Sequence, residues 1–318
     1  MRKAVKERAR PNGELMDGTQ RFPDRRVQWS PGSDIPVSPS IAIARSKWAI
    51  DRYGKLGVRQ PPGNRLEESR RFLAQFAGRK APLDSADEGF LHRIVECTQT
   101  CFEHYLIARS TGTSSGNLPP EMVRKLEESL TGADVADEEV NSPGRDTQFE
   151  LFVHALLVMG DVPVCIAEPD LKFLYNGQEV GVAAKRVKRL RRLRRRFNDA
   201  VDQIVQSDHR GFVAVNADLL IRDLGSKLNA DELVARSEDR PVAFNGIDED
   251  FVSHPLVMGR LVFATDAIWD LGNERPTLEV RSFRDYRVYA RSEEEARAGD
   301  QFFSPLMARI GQRLTQLE

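Results

Sequence analysis

The stretch that decides the fold is VPVCIAEPDLKFLYNGQEVGVAAKRVKRLRRLRRRFNDAVDQIVQSDHRGFVAVN, residues 162–216. Its opening, Val162 to Phe173, is dense in β-branched and apolar residues and reads as one strand or two. Tyr175-Asn176-Gly177-Gln178 carries the Asn-Gly signal of a tight hairpin, a turn whose two central residues take positive φ. Val180–Arg186 is then the returning strand. Beyond it, Val187, Leu190, Leu193, Phe197, Val201 and Ile204 recur at steps of three and four. That spacing predicts a helix over Lys188–Ser207 with one apolar stripe. Gly211–Asn216 is apolar almost throughout, as a strand covered on both faces must be. Thr147–Met159 precedes all of this as a helix, so the order is helix, strand, strand, helix, strand.

Further along the chain, Leu256–Ala264 and Thr277–Ala290 read as strands and Pro305–Leu317 as a closing helix. Upstream, Glu67–Phe76 and Ser85–Ala108 carry apolar residues at helical spacing, and Pro120–Leu130 is a further short helix. Thr131–Arg145 is acidic and polar and ends in Ser-Pro-Gly, which suits a linker. The expected organisation is a flexible or irregular arm over 1–40, a mainly helical region over 41–140, and an α/β domain over 141–318.

The chain has 318 residues and a formal net charge of −1, so bulk charge advertises no nucleic-acid partner and any such claim rests on local charge. Three cysteines give no disulfide framework and fit a reducing compartment. The basic start MRKAVKERARPNGEL is followed by no apolar run of the kind a secretory signal needs. No stretch approaches the ~18 apolar residues of a membrane span. The expectation is a cytoplasmic protein that does not contact a membrane. Neither GxxxxGK[ST] nor GxGxxG occurs, which argues against a phosphate-cradling loop, and G-x-S-x-G is absent too. Cys97, Cys101 and His104 share a helix face, but their spacing lacks the compact pairs of a zinc site, and a core-lining role is expected. His154 falls one turn from Glu150 and is expected to be structural.

Phosphodiester hydrolysis calls for a divalent ion, oxygen ligands to hold it, and a cation beside the attacking water. A hairpin centred on Asn176-Gly177 sets Asp170 opposite residues 183 to 184, which makes Asp170 and Lys185 neighbours. Glu150, on the preceding helix, is a third candidate.

The ordered set R-D-T-Q-F-E (145–150), E-P-D-L (168–171), V-G-V-A-A-K-R (180–186), a helix containing Gln203, and G-F-V-A-V-N (211–216) resembles the PD-(D/E)xK nuclease superfamily over roughly a quarter of the chain. The resemblance implies a restriction-endonuclease-like fold, a central mixed sheet flanked by helices, and a magnesium-dependent endonuclease, with manganese as the alternative ion. Such enzymes act in restriction, repair or phage defence. By analogy Asp170 matches the metal-binding aspartate and Lys185 the catalytic lysine. Glu150 matches the helix glutamate that many members add to the metal site. The main-chain carbonyl of Ala184 would complete the coordination, and Gln203 stands where several members carry a functional glutamine. DNA is the expected substrate and RNA the alternative; a homodimer or a protein partner stays open.

The family's second acid belongs two residues before the lysine, and that position is Ala183. Three readings compete: an acid migrated to Glu150 or Glu168, a catalytically impaired relative that binds nucleic acid, or a deliberate substitution. Glu168, two residues from Asp170, would lie about 6.6 Å along a continuous strand; Glu179 lies too far to share an ion. Each residue also has an ordinary reading: Asp170 as a turn former, Lys185 as a strand-end lysine, Glu150 and Gln203 as solvated helix residues.

Lys185–Arg196 reads KRVKRLRRLRRR, with nine basic residues in twelve. Phosphate contacts by Arg186, Lys188, Arg189, Arg191, Arg192 and Arg195 are the expected use. The ordinary reading is a solvated face, or an acidic protein surface as partner. No aromatic residue interleaves with the arginines, so base stacking is unsupported and weak sequence readout is expected. The charge is offset by Asp199, Asp202 and the acidic Glu232–Asp250 stretch, or by the ligand itself.

Overall fold

The computed structural model describes residues 39–77, 88–111, 118–132, 143–218, 254–270 and 277–316. The arm expected over 1–40 falls almost wholly outside them, as do the acidic 232–250 stretch and most of the linker.

Four helices come first: α1 (Pro39–Lys55), α2 (Arg65–Ala77), α3 (Glu88–Ser110) and α4 (Pro120–Ser129). The first three pack on one another, and α3 and α4 pack on α5 (Pro143–Met159). Then follow β1 (Val164–Ala167), β2 (Asp170–Tyr175), β3 (Gln178–Arg186), α6 (Leu190–Gln206), β4 (Gly211–Asn216), β5 (Val257–Asp270), β6 (Thr277–Val288) and a last helix, α7 (Glu293–Thr315). The six strands form one sheet in sequence order. β1–β2, β2–β3 and β5–β6 pair antiparallel, while β3–β4 and β4–β5 pair parallel. The architecture is α/β, with a central mixed sheet flanked by helices and a helical N-terminal stretch.

The parallel β3–β4 pairing requires the chain to cross back before β4 begins. A crossover between parallel strands needs a helix-length connection, and α6 supplies it between β3 and β4. The antiparallel β2–β3 pair closes through Asn176 and Gly177, both at positive φ (50° and 73°), as the Asn-Gly signal requires. Gly181 has a different reason to be glycine. A Cβ there would stand 2.5 Å from Cδ of Pro169, so any side chain would push the start of β2 away from β3.

Alternation along β3 sorts its side chains to two faces. Val180, Val182 and Ala184 join a large apolar core with α1–α5, α7 and the far side of β4. Ala183 and Val187 join a second core made with Leu193, Phe197, Ala200, Val201 and Ile204 of α6 and Val213 and Val215 of β4. The sheet is therefore the middle of three layers. β4 is buried along its whole length, as its unbroken apolar sequence demands.

One element departs from the sequence reading. The closing helix starts at Glu293, well before Pro305, which lies inside it. Its start is set by Ser292, whose side chain accepts from the Glu295 N–H, and by three glutamates in the first turn that favour the positive helix end. Of the two readings of Val162–Phe173, two strands is the observed one, with Glu168-Pro169 as the turn between them: Ala167 pairs with Asp170.

Candidate functional site

The β2–β3 register pairs Leu171 with Val182, which sets Asp170 across from Ala183 on the face that α6 covers. The Asp170 carboxylate is held at both oxygens. Oδ2 accepts the Ala184 N–H at 2.7 Å and lies 3.6 Å from Lys185 Nζ. Oδ1 accepts from Gln203 Nε2 at 2.8 Å. The same Gln203 amide donates to the Pro169 carbonyl and accepts from the Lys185 ammonium through its own oxygen. Gln203 thus ties β2, β3 and α6 together at the charged pair.

Ala184 can donate to Asp170 because of β3's pairing. Gly181 and Val187 direct their N–H groups to Arg210 and Asn216 at β4. The intervening even-numbered residues turn theirs toward β2, and the carbonyl of an antiparallel residue points the same way as its N–H. Ala184 therefore presents main-chain N–H and C=O on Asp170's side.

Glu150 arrives from α5. That helix is buried on nearly every side, from Gly144 to Met159, because it lies between α3, α4 and the sheet. Glu150 is one of its few positions not fully buried, and its carboxylate accepts from Lys125 Nζ of α4. Burial pushes the Glu150 carboxyl above its usual range and the negative charge of Asp170 adds to this, while Lys125 and Lys185 pull it back. Two carboxylates and two ammoniums thus share one electrostatic site.

Ala183 and Glu168 complete the account of the strand residues. Ala183 is fully buried among the apolar residues beneath α6. Glu168 is exposed in the β1–β2 turn rather than lying on a strand with Asp170. His154, the other residue on the Glu150 helix, is buried, and burial lowers its pKa to about 4, so it is neutral at ordinary pH. Cys97 and Cys101 line the large core, and His104 meets the Tyr53 hydroxyl at 3.0 Å.

The basic run divides among elements. Lys185 and Arg186 end β3, Arg189 immediately precedes α6, and Arg191, Arg192, Arg194 and Arg195 are exposed on the first two turns of that helix. Arg186 acts electrostatically on Glu103 and Arg65, in a buried polar network on the other face of the sheet. Lys188 is buried, with its pKa lowered first by that burial and then by Arg186. Those two stand apart from the exposed arginines. Arg195 and Arg191 precede Gln203 by eight and twelve residues, about 12 and 18 Å along the helix axis. The exposed arginines therefore begin some way from Asp170 and extend from it.

Among the described residues, no group of three or more His, Cys, Asp or Glu side chains forms a cluster able to hold a metal. The donors at Asp170 are two carboxylates and a main-chain carbonyl. That is too few for an all-protein cage. It fits magnesium, which binds through one or two carboxylates and completes its shell with water and substrate phosphate. The helices of the described residues include none long and apolar enough to cross a membrane. Compared with known proteins, the chain matches no family model, no curated protein and no solved structure.

Proposed function

We propose that this chain is a metal-dependent nuclease that hydrolyses phosphodiester bonds, in DNA first of all, with Mg2+ or Mn2+ as its ion. The observation that carries the reading is the convergence of Asp170, Lys185, Gln203 and Glu150, from β2, β3, α6 and α5, on one partly exposed site. The helix–three strands–helix–strand order of α5 to β4 supports it, with Glu150 on the first helix, Asp170 and Lys185 on paired strands and Gln203 on the second helix.

A divalent ion, when bound, polarises the phosphoryl oxygen and lowers the pKa of a water. Asp170 and Glu150 would hold it, with the Ala184 carbonyl alongside. Lys185 orients the attacking water and offsets negative charge developing on the phosphate. Gln203 fixes the Lys185 ammonium relative to the Asp170 carboxylate. The exposed arginines of α6 hold flanking phosphates, which read charge and not sequence.

The test is nicking of supercoiled plasmid in Mg2+ by the wild type, Asp170→Ala and Lys185→Ala. Cleavage by the wild type alone is expected; equal nicking by all three overturns the assignment. A second reading, binding without cleavage, is favoured by one observation: Ala183 offers a buried methyl where the family carries its second acid. Salt-sensitive DNA binding with no nicking in either ion would select it. Parallel assays on single-stranded RNA separate the two polymers.

A further inference from the structure

Lys125 lies outside every segment that suggested a nuclease. It belongs to α4, in the helical N-terminal stretch, and its ammonium bonds to Glu150 Oε2. Neither side chain is free to wander: each is 15% exposed. The four charges of the site come in two pairs, Lys185 against Asp170 and Lys125 against Glu150. Their formal charges cancel.

That pairing has a cost for metal binding. A divalent ion that takes Glu150 must displace an ammonium from it and then meet two positive charges at short range. The same ammonium is an advantage once a phosphodiester arrives, because ion and lysines together leave the site positive. We propose that Lys125 is a positioning residue of this site, acting as an internal counter-cation: it holds Glu150 in the absence of metal, weakens metal binding when substrate is absent, and turns to the substrate phosphate when metal displaces it. The inference rests on the proposed nuclease reading and deepens it, since it makes full metal occupancy depend on the nucleic acid.

Titration of the full-length protein with Mn2+ alone, followed by the ion's magnetic resonance signal, tests this without reference to cleavage. Lys125→Met is expected to bind Mn2+ about tenfold more tightly than the wild type. Lys125→Arg, which keeps the charge, is expected to bind like the wild type. A merely structural lysine predicts the opposite, because loosening Glu150 weakens the site. In the second arm, with Ca2+ in place of Mn2+, Lys125→Met is expected to lose several-fold in affinity for a short DNA duplex. Unchanged or weaker Mn2+ binding in Lys125→Met, while the wild type binds in an Asp170-dependent manner, overturns the role of Lys125 and leaves the nuclease reading standing. Absence of Asp170-dependent Mn2+ binding in both proteins overturns the two together.

Discussion

At the scale of single residues, Asp170 and Lys185 were legible in the sequence because a tight hairpin is local: the Asn176-Gly177 turn fixes which residues face each other, and the register falls within a residue of that expectation. Gln203 was legible only through the resemblance, since no periodicity says that a helix residue will reach back to the Pro169 carbonyl. Its amide donates to Asp170 and accepts from Lys185, so it can be replaced by neither an acid nor an apolar group without loss. Gln203→Glu exchanges a donor for a carboxylate facing Asp170. It is expected to cut cleavage at least tenfold and to lower stability by about 1 kcal/mol, the usual cost of losing a hydrogen bond that is only partly buried. A urea titration and a nicking assay check both, and a fully active variant would remove Gln203 from the site. The neighbouring question is Ala183. A glutamate there would enter a space already filled by Phe197, Ala200 and Val201. Ala183→Glu is expected to destabilise by about 1–3 kcal/mol, as overpacking does, and not to raise activity; a gain in cleavage without loss of stability would show that the site lacks only this acid.

Among the elements, α6 shows how one sequence signal can hold two meanings. The apolar stripe was readable and buries Leu193, Phe197, Val201 and Ile204 as expected. The charge run was readable too, but its division was not: strand alternation sends Arg186 toward Glu103, while the exposed arginines of α6 climb away from Gln203. The first turn of α6 contains no acid, and its basic residues stand at the positive end of the helix dipole. Like charges there are unfavourable by a few tenths to about 1 kcal/mol each at low salt. An arrangement that disfavours the free protein and attracts a polyanion predicts a trade. The double variant Arg191→Glu, Arg195→Glu is expected to melt at a higher temperature than the wild type at low salt and to bind DNA more weakly. The slope of log affinity against log salt is expected to fall by about one for each lost phosphate contact. Thermal melting and binding isotherms across a salt series decide it: unaltered DNA affinity would return α6 to an ordinary solvated surface. The closing helix was misplaced for a related reason, since a proline suggests a helix start and only the Ser292 cap with its three following glutamates outweighs it.

Across the whole molecule, the sequence was silent on what joins the helical N-terminal stretch to the sheet, because the joining contacts span long separations and leave no local pattern. Gln99 donates to both Glu103 and Asp218, Gln148 donates to Glu103, and Arg65 donates to Gln148 and to the carbonyl of Ser129. All of these groups are buried. The network runs from α2 and α3 through α5 to the end of β4, behind the proposed site. Glu103 is its titratable centre: burial, and then the charge of Asp218, raise its pKa to about 7, against the opposing pull of Arg186 and the two amides. The folded state therefore holds this proton more tightly than the unfolded chain, whose glutamates titrate near ~4.3. The contribution to stability is complete below the unfolded value and is lost as pH rises through about 7. The wild type is expected to lose stability toward urea between about pH 5 and pH 8 beyond what its other groups explain. Glu103→Gln cannot ionise, so its curve is expected to be flatter over that interval, whatever constant cost the new amide brings by facing two donors. Parallel curves for the two proteins would mean that Glu103 ionises normally and that the polar junction between the helices and the sheet is held without a proton on Glu103.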